Sequence, residues 1–459
     1  MTTSRRGFFK GCSAAIAAMA GARFDSLAFA DPTKDGDFND ETLVVLFLRG
    51  GMDGLNVLPP IDGSDRGHYE AARPQLQVPA AGSGAAIPIN AQFGLHPAAA
   101  PLFDLFQDGH LALVHAAGMT EANRSHFDAM DFIELGTPGV KSTNTGWLSR
   151  HLGSATNLPD EIVMPSVAVG ELQPTSLLGN RETLGIDNPA NFSLDTGPYH
   201  WRDAQRLALR RIYGTDSTWL HTSGIQCLDA LDIIELYVAG DYTPANGAVY
   251  PEGSFGDHLQ VVARMIKLGL GLRVATLDLG GWDTHENQGT GSGGFFAALL
   301  AQLSQGLEAF YTDLDSGGSD NPVQKLTVVV QSEFGRRFWQ NGDLGTDHGH
   351  GNLMMLLGGN VQGGLHGTWP GLASDQLFEG EDLAVTTDYR RILSEVLIRR
   401  LGNNQLGSIF PGYTGYEPLG VVTGTDLPPD YGDGTGDPGA IFVDGFESGD
   451  VNRWSSSAG

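Results

Sequence analysis

Five runs of continuous apolar sequence, each the length of a strand, constrain most tightly what this chain can fold into. TLVVLFL (42–48), LALVHAA (111–117), RVATLDL (273–279), LTVVVQ (326–331) and NLMMLLG (352–358) lack the apolar/polar alternation of a half-exposed strand, so both faces of each must be covered. Segments with apolar residues at three- and four-residue spacing lie between and after them: HPAAAPLFDLFQDG, YHWRDAQRLALRRIYG, FGDHLQVVARMIKLG, GFFAALLAQLSQGLEAFYTDL and TTDYRRILSEVLIRRLGN. This order predicts an α/β fold, a mostly parallel, doubly wound sheet flanked by helices in one large domain over residues 31–423. The 459 residues suffice for such a core without disulfide or metal staples.

Charge excludes some partners. With 27 basic and 54 acidic residues the formal net charge is -27, a field that repels phosphate backbones and anionic lipid; nucleic acid is not an expected partner. The same charge suits a soluble, secreted surface. Glycine is abundant (64 residues), yet 41% of the chain is hydrophobic, which points to tight loops between regular elements rather than disorder.

The ends carry their own signals. Ser4-Arg5-Arg6-Gly7-Phe8-Phe9-Lys10, an Ala-rich stretch and Ala28-Phe29-Ala30 read as a twin-arginine signal peptide over residues 1–30; the competing reading is the basic start of an amphipathic helix. The signal implies a partner, the twin-arginine export machinery, and a periplasmic or secreted location reached in the folded state. No other stretch approaches about 18 uninterrupted apolar residues, so an integral membrane protein is not expected. Cys12 leaves with the signal, and Cys227, in IQCLDALDIIELYV, then stands alone as an expected buried structural thiol. Residues 424–440, rich in Gly, Pro and Asp, read as a linker, and residues 441–459 as a separate C-terminal tail.

In an open α/β sheet ligands collect at the carboxyl ends of strands, and the unusual residues fall there. VVLFLRGGMDG delivers Arg49 and Asp53. LALVHAAGMTEANRSHF delivers His115, then Arg124, Ser125 and His126 at a helix start. VATLDLGGWDTH delivers Asp283 and His285, VVVQSEFGRR delivers Glu333, Arg336 and Arg337, and GTDHGHGN adds Asp347, His348 and His350. Each has a structural reading as well: Asp283 as a turn cap, Ser125 as a helix cap within an S-x-x-D box, any histidine as a satisfied core residue. Jointly they offer the carboxylate oxygens and imidazole nitrogens that suit Zn, Mn or Fe, with Gly349 and Gly351 letting the backbone fold closely around an ion. A serine at a helix start beside an arginine is placed to meet an anionic group.

Together the R-R signal, FLRGGMDGLN, NRSHFDAMDF, GGWDTHENQ, SEFGRR and GTDHGHGN resemble the bacterial twin-arginine-exported family called domain of unknown function 1501, over nearly the whole mature chain to about residue 420. That family is grouped with the alkaline phosphatase and sulfatase superfamily. The resemblance implies an alkaline phosphatase-like fold, two adjacent divalent metals and a Ser, Thr or modified Cys nucleophile. Carried over, Asp53 takes the place of the carboxylate after the first strand and Ser125 that of the nucleophile. Asp283 and His285 take the first-metal pair, Glu333 the second-metal carboxylate, and His348 or His350 the late histidine, with Asp347 beside them. Two departures stand out: Glu333 is followed by Phe334 where alkaline phosphatases pair Asp with His, and Asp283 and His285 are more tightly spaced, which leaves one or two metals open.

The function expected from these residues is metal-dependent hydrolysis of a small anionic ester, of phosphate before sulfate, by a metal-activated Ser125 with Arg124 or Arg49 holding the nonbridging oxygens. Formylglycine-type sulfatase chemistry needs C-x-P-x-R or S-x-P-x-R, and neither surrounds Ser125 or Cys227. The alternative is a catalytically silent exported binding or scaffolding protein on the same frame, recognising a cell-surface ligand.

Overall fold

A computed structural model describes residues 39–432 apart from 159–161, 171, 195–197 and 319. The expected signal peptide, the later part of the expected linker and the C-terminal tail lie outside the described residues.

All five apolar runs form strands. Apart from a short antiparallel pair, Ile87–Pro88 with Gly94–Leu95, the strands in chain order are β1 (Thr42–Leu48), β2 (Leu111–Gly118), β3 (Ser166–Val169), β4 (Thr183–Ile186), β5 (Val274–Leu279), β6 (Leu326–Gln331), β7 (Arg336–Gln340), β8 (Thr346–His348), β9 (Asn352–Leu357), β10 (Gly364–His366) and β11 (Thr387–Asp388). Nine of them make one sheet in the order β10-β2-β9-β6-β1-β5-β3-β4, with β11 pairing β2 beside that path. Every pairing is parallel except those of β9, which runs antiparallel to β2 and β6. The chain is therefore an α/β protein with a mostly parallel, mixed sheet, as the sequence predicts. β7 and β8 form a separate antiparallel hairpin.

The helices that matter here are α1 (Gly63–Ala72), α2 (Ala100–Gln107), α3 (His126–Leu135), α4 (Trp147–Ser154), α5 (Arg202–Tyr213), α6 (Trp219–Ile233), α7 (Ser254–Leu268), α8 (Phe295–Leu314) and α9 (Tyr389–Arg399). β1 shows why its run is continuous. Val44, Leu46 and Leu48 pack with Leu102, Leu259, Val262, Leu300 and Leu307 of α2, α7 and α8, whereas Leu43, Val45 and Phe47 pack on the opposite face with Ile133, Trp147, Ile392 and Val396 of α3, α4 and α9. Alternate residues enter alternate layers, so from Leu43 to Leu48 no position is left for a polar side chain; Thr42, at the start of the strand, satisfies its hydroxyl by donating to the Leu272 carbonyl at 3.0 Å.

Two sequence expectations change. Cys227 is exposed on α6 rather than buried, because the core-facing stripe of that helix is carried by Leu228, Ala230, Leu231 and Ile233. Residues 424–432 of the expected linker are docked: Gly407 donates to the Asp430 carbonyl, Asn404 to that of Pro428, and Leu427 and Tyr431 pack on the core. Among the described residues no helix is long and apolar enough to cross a membrane.

His151 gives the fold a pH dependence. It is buried in α4, its Nδ1 accepts from the Asn403 amide at 3.1 Å, and burial lowers its pKa from 6.5 to about 4. The unfolded chain then binds more protons than the native one between these values. Stability from this group is complete above about pH 6.5 and falls by about 3 kcal/mol as pH drops to about 4. The urea midpoint of wild type should decline across that window more steeply than that of His151→Gln; equal slopes would refute the assignment.

Candidate metal centre

The site lies where β1, β5 and β6 end, closed on the fourth side by the β7–β8 hairpin. Loops after parallel neighbours must approach closely, and Gly50 allows it: a Cβ there would stand 2.5 Å from the Asp283 nitrogen, and its φ of +121° suits only glycine. Gly349 and Gly351 serve the same purpose, against the Arg336 and Leu383 backbones, rather than folding around an ion. Trp282, wholly buried, anchors the β5 loop by donating from Nε1 to the Leu279 carbonyl at 3.0 Å. The next residue, Asp283, is thereby delivered to the edge of the sheet.

Three imidazoles converge on Asp283. Its Oδ1 lies 3.2 Å from Nε2 of His126, 3.0 Å from Nε2 of His285 and 3.2 Å from Nε2 of His348, and the last two nitrogens are 2.8 Å apart. Each ring is held from behind through Nδ1. His126 donates to Glu333 Oε1 at 2.6 Å, His285 to Asp347 Oδ1 at 2.9 Å, and His348 to the Arg124 carbonyl at 2.7 Å. With the proton on Nδ1, every Nε2 presents a lone pair toward Asp283 Oδ1, and the ligand atoms of His126, Asp283 and His348 lie within 4.8 Å of one another. Three lone pairs and a carboxylate oxygen repel one another unless a cation sits among them, and the buried Nε2 of His126 has no hydrogen-bond partner. Separations of 2.8 to 3.2 Å also approach the roughly 3.4 Å edge of a tetrahedron around an ion with bonds of about 2.1 Å. The donor set fits a divalent transition metal.

Charge around the cluster is tuned by fixed partners. Burial pushes the Asp283 carboxyl up, but the hydrogen bond and charge of Arg336 lead the effects that outweigh it and hold the group at about 2. Burial likewise raises Glu333, yet hydrogen bonds from His126 and the amides of Gly50 and Gly51 keep it below the usual carboxylate range. The bond to Glu333 raises His126 despite burial, while burial lowers His348.

The residues singled out from sequence divide clearly. Asp283, His285 and His348 meet at one point. Glu333, wholly buried, and Asp347 stand one layer back, each behind a histidine. His126, which belonged to the same motif as Ser125 but had no assigned role, is in the cluster; its place at the start of α3 was legible and the direction of its ring was not. Ser125 caps α3, exposed, its Oγ accepting from the Asp128 amide at 3.5 Å. Asp53 is elsewhere: it is buried, 2.6 Å from Arg73 and 2.7 Å from the Gln288 amide that donates to it. His350 stacks on Phe378, with burial lowering its pKa to about 4, and His115 packs against Phe93 and Trp369. Arg49 is paired with Glu134 and Asp278, and Arg124 with Glu379 and Asp382.

Residues 240–404 match the family described as "Protein of unknown function (DUF1501)". The matched stretch carries Asp283, His285, Glu333, Arg336, Asp347 and His348, while His126 lies before it. No curated protein matches the chain. Among solved structures, "Crystal structure of Ps i-CgsB" aligns with a TM-score of 0.31 and 11% identity over 71% of this chain and 68% of that one. The lipoteichoic acid synthase LtaP from Listeria monocytogenes aligns with a TM-score of 0.34 and 10% identity over 91% of this chain and 84% of that one. At these values neither likeness bears on chemistry.

Two substitutions separate the layers. Glu333→Gln removes the charge behind His126 and should weaken metal binding by about 10- to 100-fold. Asp53→Ala strands the buried Arg73 and should cost about 3–5 kcal/mol in stability while leaving metal stoichiometry unchanged. Metal loss in Asp53→Ala protein that remains folded would return Asp53 to the site.

Proposed function

We propose that this protein is an exported hydrolase of small anionic esters, phosphate esters first, built around one divalent Zn, Mn or Fe ion held by His126, Asp283, His285 and His348. The observation that carries the reading is the approach of three Nε2 atoms to within 3.2 Å of Asp283 Oδ1, with each Nδ1 held by an oxygen acceptor. The neighbouring side chains are open enough for a substrate to reach, since Asp283 and His285 are about half exposed. An ion bound there supplies Lewis acidity to a phosphoryl oxygen and lowers the pKa of an adjacent hydroxyl.

Ser125 is the nucleophile in this reading. It precedes His126 directly, is exposed, and its Oγ makes only a long contact with the Asp128 amide. Attack by Oγ on phosphorus breaks the ester P–O bond and forms a phosphoserine; the Ser125 hydroxyl proton passes through solvent to the departing oxygen, which leaves as the alcohol. Water then attacks the phosphoserine and frees Ser125 and phosphate. The start of α3 favours the anion through its unpaired N–H groups. Arg124 contributes through its carbonyl, which fixes His348, and its guanidinium is held by Glu379 and Asp382.

One observation favours the silent binding protein instead. Arg49, Arg124 and Arg336 all have carboxylate partners, so none stands free to clamp phosphate oxygens. Four protein ligands would also close a tetrahedral zinc site, whereas six-coordinate Mn or Fe keeps two positions open.

Elemental analysis and turnover measured on one chelator-free preparation decide between them. The hydrolase predicts about one ion per chain, lost in His126→Ala and His348→Ala, and phosphomonoester turnover that falls at least about a thousandfold in Ser125→Ala with the ion retained. A bound ion without turnover across an ester panel would establish the binding protein, and metal-free folded protein would contradict both.

A further inference from the structure

Gln288, at the end of the GGWDTHENQ run, joins the two segments that carry His285 and His348. Its side chain is buried. Oε1 accepts from the Thr284 hydroxyl at 3.0 Å and from the Thr346 hydroxyl at 2.8 Å, and Nε2 donates to Asp53 Oδ2 at 2.7 Å. Thr284 directly precedes His285 on the loop after β5. Thr346 opens β8, directly before Asp347, whose carboxylate holds the His285 ring, and two residues before His348. One amide oxygen therefore ties together the residues next to two of the converging imidazoles.

The direction of that amide is fixed from behind. Asp53 is held by Arg73 at 2.6 Å, and a carboxylate can only accept, so the NH₂ end of Gln288 must face it and the carbonyl end must face the threonines. Both hydroxyls are then committed as donors. Thr284, Gln288 and Thr346 are all buried, so a hydroxyl that lost Oε1 would be left without a partner in the core, which makes the clamp costly to open.

The clamp bears on the centre through the spacing of its rings. Nε2 of His285 and Nε2 of His348 stand 2.8 Å apart, and two lone pairs at that separation repel until a cation lies between them. Something must hold the segments together if the site is to exist before the ion arrives. The Thr346 amide donates to the Thr284 carbonyl at 3.0 Å, and the Asn341 amide reaches the His285 carbonyl at 2.7 Å and Asp347 Oδ1 at 3.1 Å from the solvent side. Gln288 closes the same junction from the buried side. A site held ready in this way binds more tightly, because the ion does not have to meet the cost of assembling its ligands.

We propose that Gln288 is a positioning residue of the metal centre, which holds His285 and His348 at binding distance through Thr284 and Thr346. The proposal rests on the ion of the function proposed above and not on turnover.

Titration of the full chain, freed of metal by dialysis, with Co²⁺ tests this through the visible absorption of the bound ion, which reports both affinity and ligand geometry. Gln288→Leu should weaken Co²⁺ binding by about tenfold or more and alter the absorption bands. Thr346→Val, which removes the hydroxyl but keeps the shape, should weaken it severalfold, whereas Thr346→Ser, which keeps the hydroxyl, should bind as wild type does. Leu397→Ala, a truncation in the buried face of α9 remote from both segments, lowers stability and should leave affinity and bands unchanged. Wild-type affinity and bands in Gln288→Leu, equal losses in Thr346→Ser and Thr346→Val, or an equal loss in Leu397→Ala would each overturn the positioning role while leaving the centre in place. A wild-type chain that binds no Co²⁺ would overturn the centre itself and the role of Gln288 with it.

Discussion

The guanidinium of Arg336 holds together the three loops on which the site is built. It is fully buried and donates to the carbonyls of Gly51 at 2.7 Å, Thr346 at 2.8 Å and Trp282 at 3.0 Å, to that of Gly50, and to Asp283 Oδ1 at 2.6 Å. One side chain thus fixes the ends of β1 and β5 against the hairpin that carries His348. A buried cation is costly unless all its donors are met, and here every partner belongs to a segment that must be in register for the imidazoles to converge. The same contact keeps Asp283 ionised, which joins the loop geometry to the charge of the centre.

Carboxylates act at two depths around this point. Asp283 faces inward with the three Nε2 atoms, while Glu333 and Asp347 sit behind the rings and decide which nitrogen carries the proton. This division explains why Glu333 needs no histidine neighbour: its work is done through His126, which comes from α3 rather than from the same loop. Arg49 and Arg124 likewise act as struts, tying α3 and the 379–382 turn to the site rather than reaching into it.

Much of the frame was legible in the chain because burial on both faces leaves a periodicity that needs no tertiary knowledge. β1, β2, β5, β6 and β9 announce themselves as continuous apolar runs, and α8 as a long amphipathic segment. The short strands β3, β4 and β10 were not visible: Ser166–Val169 and Thr183–Ile186 are four residues each, too few to show a period, and the pairing of β3 with β5, on which β4 is then added, depends on contacts remote in sequence. The antiparallel direction of β9 follows from the hairpin before it, which the glycine-rich loop concealed. At the site, position along the chain was informative and side-chain direction was not. His350 shares a loop with His348 but turns toward Phe378, and Asp53, on the loop after β1, turns into the core toward Arg73, whereas His126 turns outward from a helix start to meet Asp283.

X-ray absorption at the metal edge of chelator-free protein tests the central claim most directly, because it reads the donor atoms themselves. The account predicts a first shell containing three imidazole nitrogens at about 2.0–2.1 Å, with one carboxylate oxygen at a similar distance and the outer-ring scattering that imidazoles produce. An all-oxygen shell, or one with a single imidazole, would contradict the convergence of His126, His285 and His348 on one ion.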